Sequence, residues 1–330
     1  MAEINICMIT DNNYVIPTAV AITSAISHKK DASVYHFYLL VNNISNFNRK
    51  QLEKLAGERV VIDFIETDIA KYESIMVKTH VSQAAALKFD VPNIIGCDRI
   101  LYIDGDILVR EDLEELFKVN MEGCLIAAVR DMGGEMKLHF NDILGTENYF
   151  NSGVMLLDLA GLRRGDYPVK LEKAKRENPQ WKCMDQDAFN FVFKDRVKWL
   201  DVRYNAMIPQ YRMHRFSQSE INRFYGVEYD DENAMQSDAA IIHFAGESGT
   251  RPWKVVNGTF GDLWDAYYRR SPYRDISLNR SLTAGIRPQG GVTSYNLFGC
   301  VPLWKRKRCT NGDFRFYLFG FIPMFRIKNK

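Results

Sequence analysis

The sequence predicts an α/β fold in which helices flank a mostly parallel central sheet. Short apolar runs that are typical of buried strands recur along the chain, and stretches with helical spacing of apolar residues lie between them. Such alternation favours a parallel sheet, because parallel strands need a crossover connection that is usually a helix. The chain has 330 residues and is 46% hydrophobic, so it can form a large core.

The expected elements can be assigned from the N-terminus onward. Strands are expected at Ile4–Ile9, Val34–Val41, Val60–Ile65, Arg99–Ile103, Leu125–Val129, Val154–Leu157 and Ala239–Phe244. Helices are expected at Ile16–Ile26, Phe47–Leu55, Val81–Phe89 and Met184–Phe193. Pro17 falls in the first turn of the first helix, where its missing N–H costs least.

The last part of the chain differs from the rest. The pattern Leu-Phe-Gly-x-x-Pro begins at Leu297 and again at Leu318, 21 residues later. Residues 276–296 are rich in Ser, Arg and Gly, which is typical of a linker. We therefore expect an α/β domain at residues 1–275 and a small C-terminal appendage, the linker and the repeat, at residues 276–330.

Two interpretations of this appendage stay open. In the first, the repeat forms a small aromatic β-hairpin that packs on the core. In the second, its aromatic residues enter a membrane surface while the basic run Lys305–Arg308 contacts anionic lipid, at about 1 kcal/mol per basic residue.

Charge and cysteine content narrow the class of protein. The formal net charge is +2, which argues against a nucleic-acid partner bound over the whole surface. The six cysteines form no CxxC pair, which favours a reducing compartment. The N-terminus lacks a signal-peptide pattern, and no apolar run approaches the roughly 18 residues that span a bilayer. We therefore expect a cytoplasmic protein, peripheral on the inner face of the membrane if the appendage binds lipid.

An acidic pair follows the expected strand Arg99–Ile103. Asp104 and Asp106 are separated by Gly105, and residues i and i+2 of a strand project to the same side. Two adjacent carboxylates repel each other unless a proton or a cation lies between them. Mn²⁺ and Mg²⁺ prefer oxygen ligands and also neutralise a diphosphate. The pair therefore predicts a divalent-cation site.

His243 ends the late expected strand. One interpretation is a core histidine bound to a backbone carbonyl, and the other is a third metal ligand. Ligands in open α/β sheets lie beyond the carboxyl ends of strands, where Asp11 and Asp104 are also expected. The loop that follows contains Gly246 and ends in the cation of Arg251, which suits a diphosphate.

Further polar residues stand at element ends. Gln186 and Asp187 belong to an acidic stretch before an apolar helix, which indicates either a helix N-terminus favoured by the macrodipole or groups that contact a sugar. Asn151 either bonds a sugar hydroxyl or closes a turn. Asp131 follows the strand Leu125–Val129, in the same position relative to its strand as Asp104.

Five segments, taken in this order, resemble glycosyltransferase family 8. This is the retaining family that includes lipopolysaccharide galactosyl- and glucosyltransferases and glycogenin, and the similarity covers residues 1–265. The segments are Thr10–Tyr14, Leu101–Ile107, Tyr149–Val154, Asp185–Asp187, and His243–Gly246 with Arg251–Trp253.

The resemblance implies a GT-A fold and a role for each matched residue. The expected uridine contacts are Asp11, Asn13 and Tyr14. The expected Mn²⁺ ligands, beside the diphosphate of UDP, are Asp104, Asp106 and His243. The expected contacts of the donor sugar are Asp131, Asn151, Gln186 and Asp187, with Gln186 nearest the anomeric carbon.

Two departures from the family pattern concern the donor. Ala86 stands where the family usually has an arginine, and nearby Lys88 lacks the bidentate fork of a guanidinium. The loop before Arg251 is two residues longer than usual, and Arg251 replaces a lysine. The choice between UDP-galactose and UDP-glucose therefore stays open.

The resulting hypothesis is metal-dependent, retaining transfer of galactose or glucose from a UDP-sugar to a saccharide or glycolipid acceptor, in bacterial lipopolysaccharide or other surface-glycan synthesis. One alternative is a sugar nucleotidyltransferase, although Asp11–Tyr14 replaces the glycine-rich basic loop that such enzymes carry after the first strand. The other is a non-catalytic carbohydrate- or lipid-binding protein, whose 12% aromatic residues line a groove.

Overall fold

A computed structural model describes residues 3–75, 83–135, 148–181, 183–194, 196–246, 251–256, 258–280, 292–297, 301–308, 314–319 and 322–327. The chain forms two compact units. The first unit comprises residues 1–243 and 271–273, and the second unit comprises residues 244–270 and 274–330. The predicted boundary at residue 275 stays a prediction.

The first unit is built on a mostly parallel sheet, as predicted. The strands of this unit are β1 (Glu3–Thr10), β2 (Val34–Val41), β3 (Val60–Glu66), β4 (Arg99–Ile103), β5 (Ile107–Val109), β6 (Ile126–Arg130), β7 (Phe150–Asp158), β8 (Val197–Trp199) and β9 (Ile241–His243). Seven of them form one sheet in the order β3-β2-β1-β4-β7-β6-β8. All neighbours in it are parallel except those of β7, which is antiparallel to β4 and β6. β5 and β9 form a separate antiparallel pair.

Helices connect these strands. They are α1 (Val15–His28), α2 (Asn46–Glu53), α3 (Val91–Ile94), α4 (Glu114–Phe117), α5 (Met132–Glu135), α6 (Leu159–Arg164), α7 (Tyr167–Glu177), α8 (Met184–Phe193), α9 (Ile208–His214), α10 (Gln218–Tyr225) and α11 (Glu232–Asp238). Three 3₁₀-helices join them, at Ala70–Ile75, Gln83–Asp90 and Val202–Asn205. The helix predicted at Val81–Phe89 is thus a 3₁₀-helix over its described part, and residues 81–82 lie outside the described residues.

The two strands at the centre of the sheet are almost continuous apolar runs. β4 and β7 are buried along nearly their whole length, since both faces of the sheet are covered. Leu156 of β7 lies between Leu101 of β4 and Ala127 of β6. β7 begins at Phe150, four residues before the predicted start, so Asn151 lies within the strand instead of a turn.

The strand predicted at Ala239–Phe244 is shorter than expected and is not part of the main sheet. It covers Ile241–His243 and pairs with β5, a three-residue strand that the sequence analysis did not predict. Three residues are too few to show a periodic pattern, so this pairing has no local signal in the sequence.

The second unit contains an aromatic cluster and a small sheet. Phe244, Trp253, Trp264 and Tyr268 pack ring against ring, the last two on helix α12 (Gly261–Tyr268). The antiparallel sheet has the order β10 (Val292–Leu297), β11 (Val301–Arg308), β12 (Phe314–Leu318) and β13 (Ile322–Ile327).

The sequence repeat corresponds to two hairpins of that sheet, not to one. The first copy joins β10 to β11, and the second joins β12 to β13. Because Trp304 pairs with Leu318 across β11 and β12, the paired ends Leu297–Val301 and Leu318–Ile322 lie at the same end of the sheet. β10 begins within the stretch that was predicted to be a linker.

Two further features concern the lengths of the apolar helices and the state of the cysteines. Among the described residues, no helix combines the length and the apolar content that crossing a bilayer requires. Cys7, Cys97, Cys124 and Cys183 carry free thiols. Cys300 lies outside the described residues, as does Cys309.

Replacing Leu156 by alanine tests the position of the core. Leu156→Ala removes a fully buried side chain at the centre of the sheet and leaves a cavity. We expect the free energy of unfolding to fall by about 2–5 kcal/mol, measured by urea unfolding followed by circular dichroism. Val169→Ala is the control, because Val169 lies on α7 and is 56% exposed. Equal losses in the two variants would contradict this description of the core.

Candidate active site

Asp104, Asp106 and His243 converge at one point. The two aspartates lie in the connection between β4 and β5, and Ile107 at the start of β5 pairs with His243 of β9. One ligand atom from each of the three side chains lies within 4.8 Å of the other two. The convergence was predicted, but its cause is different: the aspartates stand between two strands, not within one.

Gly105 allows the acidic pair to pack against α1. A Cβ atom on Gly105 would lie 2.5 Å from Oγ1 of Thr18 and 3.2 Å from the ring of Tyr14. The described neighbours in this close approach are Thr18 of α1 and Tyr14, which directly precedes that helix.

Asp106 is held on both of its oxygens. The hydroxyl of Tyr14 donates to Oδ2 over 2.9 Å, and Nε2 of His243 lies 3.3 Å from Oδ1. Asp106 and His243 are buried, whereas 28% of the Asp104 side chain is exposed. Asp104 is therefore the most accessible of the three side chains.

The second ring nitrogen of His243 bonds to a side chain, and the backbone-carbonyl partner of the core interpretation is not found among the described residues. Nδ1 lies 2.9 Å from Oδ1 of Asn205. A histidine held at one nitrogen and directed at carboxylates with the other is the usual arrangement of a metal-binding imidazole. The donor set, two carboxylates and one imidazole, fits a divalent cation such as Mn²⁺ or Mg²⁺.

The backbone of β7 passes directly beside these ligands at Gly153. Its carbonyl accepts from the N–H of Asp104 over 2.8 Å. A Cβ atom on Gly153 would overlap the His243 ring and lie 2.8 Å from Oδ2 of Asp104. Only glycine leaves room for the side chains of His243 and Asp104 at this position.

Lys88 adds a buried cation to the site. Its ammonium lies 3.2 Å from Oδ1 of Asp104 and 2.9 Å from Oδ2 of Asp185. The hydroxyl of Tyr102 donates to the same Asp104 oxygen over 2.6 Å. Burial alone would lower the pKa of Lys88, but the two carboxylates outweigh it and raise that pKa above its usual value. Ala86, at the usual arginine position, is buried and apolar.

Asp131, Asn151 and Gln186 form a second polar cluster. Oδ2 of Asp131 accepts from Nδ2 of Asn151 over 3.2 Å and from Nε2 of Gln186 over 3.1 Å. Oε1 of Gln186 accepts from the N–H of Ser152 over 3.0 Å. Gln186 is half-buried while Asp131 is buried, so the amide has both a fixed orientation and an accessible face.

Asp187 faces the interior of the first unit. Its carboxylate accepts from the hydroxyl of Tyr149 over 2.7 Å and from the N–H of Cys183 over 2.8 Å. Burial raises the pKa of Asp187, and these two hydrogen bonds offset only part of that rise. Burial also raises the pKa of the Cys183 thiol to about 12. The predicted contact between Asp187 and a sugar stays a prediction.

The residues expected to contact uridine lie at the start of α1. Oδ1 of Asp11 accepts from the N–H groups of Asn13 and Tyr14, over 2.8 and 2.9 Å, which closes a turn between β1 and α1. β1 and β4 are parallel neighbours, so Asp11 and Asp104 end up at the same edge of the sheet. Asn13 is exposed and Tyr14 half-buried.

Gly246 and Arg251 belong to the second unit. Gly246 has a φ of 115°, a conformation that favours glycine. The guanidinium of Arg251 lies 5.8 Å from the ring centroid of Trp253. Their contact with a diphosphate stays a prediction.

Sequence reasoning gave no role to two residues of the site. Asp185 belongs to a stretch that was singled out, but the ion pair with Lys88 joins distant parts of the chain and has no local pattern. Asn205 ends a short 3₁₀-helix and carries no motif that could have identified it.

Known proteins are similar to this chain over most of its length. A family model described as Glycosyl transferase family 8 matches residues 5–256. General stress protein A of Bacillus subtilis (strain 168) is 27% identical over 270 residues, 80% of this chain and 91% of that protein. Glycosyltransferase GlyF of Streptococcus pneumoniae serotype 4 is 28% identical over 84% of this chain, which spans 64% of GlyF. Lipopolysaccharide 1,2-glucosyltransferase of Escherichia coli (strain K12) is 24% identical over 76% of this chain and 72% of that protein.

Solved structures share the fold. The galactosyltransferase LgtC in complex with donor and acceptor sugar analogs has a TM-score of 0.66 at 23% identity, over 82% of this chain and 99% of that one. The bifunctional glycosyltransferase WbbM has a TM-score of 0.72 at 22% identity, and this chain spans about half of it, 52%. The fold is therefore of the GT-A type. Since the family match covers most of the sequence, this chain belongs to glycosyl transferase family 8.

Proposed function

We propose that this family 8 glycosyltransferase is a metal-dependent, retaining hexosyltransferase. It moves galactose or glucose from a UDP-sugar to a saccharide or glycolipid acceptor in bacterial lipopolysaccharide or other surface-glycan synthesis. The observation that carries the proposal is the convergence of Asp104, Asp106 and His243 on one point. The names of the lipopolysaccharide 1,2-glucosyltransferase and of the sugar-bound LgtC structure support the substrate class.

The metal-binding role is assigned to Asp104, Asp106 and His243. These residues would hold Mn²⁺ or Mg²⁺ beside the diphosphate. A bound dication acts as a Lewis acid that stabilises the leaving diphosphate. Tyr14 restricts Asp106 through its hydroxyl, so that carboxylate is already oriented before any ligand arrives.

The sugar-binding role is assigned to the cluster around Gln186. Asp131 accepts from the amides of Gln186 and Asn151. Both amides are thus already oriented and need not reorient during the reaction. Gln186 is the member placed nearest the anomeric carbon. Asp187 completes the set. Its carboxylate accepts from the hydroxyl of Tyr149 and from the N–H of Cys183, which precedes α8.

Lys88 supplies the cation that family members usually draw from an arginine. Its ammonium is shared by Asp104 and Asp185, so it offers a point charge to the donor side of the site. Uridine contacts are assigned to Asp11, Asn13 and Tyr14, and diphosphate contacts to Gly246 and Arg251. Family membership argues against both a nucleotidyltransferase and a non-catalytic binding protein.

The appendage is proposed to bind the inner face of the membrane peripherally. Among its described side chains, Phe319, Ile322 and Met324 are exposed, by 43%, 40% and 50%. The strand β11 carries the basic run Lys305–Arg308 in sequence. Exposed apolar residues together with basic residues suit an anionic lipid surface.

Asp104→Asn and Asp106→Asn test the metal assignment. Wild type is expected to release UDP from UDP-galactose or UDP-glucose with Mn²⁺ present and not with chelator. Each variant removes one charged ligand, which is worth several kcal/mol of transition-state stabilisation, so UDP release should fall roughly a hundredfold or more. Asp98→Asn, an exposed carboxylate change, is the control. Near-normal turnover in either metal-site variant contradicts the assignment.

Gly153→Ala tests the close approach of β7 to the ligands. The added methyl group must displace His243 or Asp104, at a typical cost of about 1–3 kcal/mol. UDP binding with Mn²⁺, measured by calorimetry, should weaken roughly tenfold. Gly96→Ala is the matched control, since its Cβ would meet nothing within 4 Å. Unchanged affinity in Gly153→Ala would show that the space beside the ligands is larger than described.

Liposome sedimentation tests the role of the appendage. Full-length protein should sediment with vesicles that contain anionic lipid and remain in the supernatant with neutral vesicles, because basic residues gain only from the anionic surface. Phe319→Ser combined with Ile322→Ser should reduce the bound fraction, while Val169→Ser, also an exposed apolar site, should not. Equal sedimentation of all three proteins would remove the membrane proposal.

A further inference from the structure

Asn205 is a fully buried residue next to the candidate metal site. It ends the 3₁₀-helix Val202–Asn205, and its side chain lies between those of Asn151 and His243. The neighbouring Ala206 is bound to β9 on both sides: its N–H donates to that strand, and its C=O accepts from the N–H of His243. The backbone therefore keeps the amide and the imidazole at a fixed separation.

The orientation of the Asn151 amide is determined by two neighbours. The backbone N–H of Gly153 can only donate, and it lies 2.9 Å from Oδ1 of Asn151. The carboxylate of Asp131 accepts, 3.2 Å from Nδ2 of Asn151. Oδ1 of Asn151 is therefore an acceptor, and its NH₂ group points to Asp131.

The orientation of the Asn151 amide determines that of the Asn205 amide. The group of Asn205 that lies 3.0 Å from Oδ1 of Asn151 must be the donor Nδ2. The carbonyl oxygen of Asn205 then faces Nδ1 of His243 over 2.9 Å. A carbonyl oxygen can only accept, so Nδ1 carries a proton, and in the neutral imidazole Nε2 presents its lone pair toward Asp106.

We infer that Asn205 is a positioning residue: it selects the Nδ1–H tautomer of His243 and so makes Nε2 available to a divalent cation. This inference rests on the proposed function, because it needs His243 to be a metal ligand. Hydrogen-bond partners of metal-binding histidines typically contribute 10–100-fold to metal affinity. The same hydrogen-bond chain reaches Asp131, so the metal and sugar-binding groups share one network.

The test is Mn²⁺ binding to the full chain in the presence of UDP. Electron paramagnetic resonance of free Mn²⁺ gives the affinity, and nitrogen modulation of the bound Mn²⁺ signal reports the coordinated imidazole. Asn205→Leu removes the acceptor for Nδ1, so Mn²⁺ affinity should fall roughly tenfold or more and the nitrogen modulation should weaken.

Two variants distinguish loss of the positioning role of Asn205 from a general loss of stability. Asn205→Asp keeps an oxygen toward Nδ1 and loses only the donor to Asn151, so it should retain the nitrogen modulation and lose less affinity than Asn205→Leu. Thr23→Val removes another buried hydrogen bond, from Oγ1 to the carbonyl of Ala19, and should leave Mn²⁺ binding unchanged. A loss in Asn205→Asp equal to that in Asn205→Leu overturns the inference.

A double-mutant cycle provides the decisive comparison. If Asn205 acts through His243, then adding Asn205→Leu to His243→Ala should change Mn²⁺ affinity by less than about twofold. An undiminished further loss in that background overturns the inference, as does wild-type affinity in Asn205→Leu alone. Absence of Mn²⁺ binding by wild type would instead refute the metal dependence of the proposed function, and the inference with it.

Discussion

The pairing of β5 with β9 is the contact on which the candidate site depends. It joins the chain just after the acidic pair to a strand more than a hundred residues later, and it places His243 beside Asp106. β7 closes the same site from the main sheet, with Gly153 against the ligands. The two aspartates thus lie between the main sheet and the β5–β9 pair, and the imidazole belongs to that pair.

Charge balance is the second constraint on this region. An unpaired buried ammonium costs several kcal/mol, and buried carboxylates without partners are equally unfavourable. Lys88 forms ion pairs with Asp104 and Asp185. The hydroxyl of Tyr102 donates to Asp104, and that of Ser152 donates to Asp185. The accessible oxygens of Asp104 are therefore oriented by protein groups, as preorganised sites require.

Sequence reasoning predicted most of this fold, and the reason is physical. β1, β2, β3 and β4 are short apolar-rich runs that local patterns predict. The position of the strand-end aspartates follows because ligands bind beyond the carboxyl ends of the strands in open α/β sheets. Sequence reasoning missed β5, the ion pair of Lys88 and the contact of Asn205 with His243. Each of these depends on groups far apart in the chain, where propensity and periodicity carry no information. The sequence also carried no sign that Asp187 is buried, with its carboxylate accepting from the hydroxyl of Tyr149.

The antiparallel order of β10 to β13 determines where the two copies of the sequence repeat lie. A chain that reverses direction at every strand returns the second copy to the end of the sheet occupied by the first. In general, two like segments held side by side bind a surface more tightly than either segment alone when their spacing fits the surface. Duplication of a short segment thus presents the same sequence pattern twice at one end of a single small sheet.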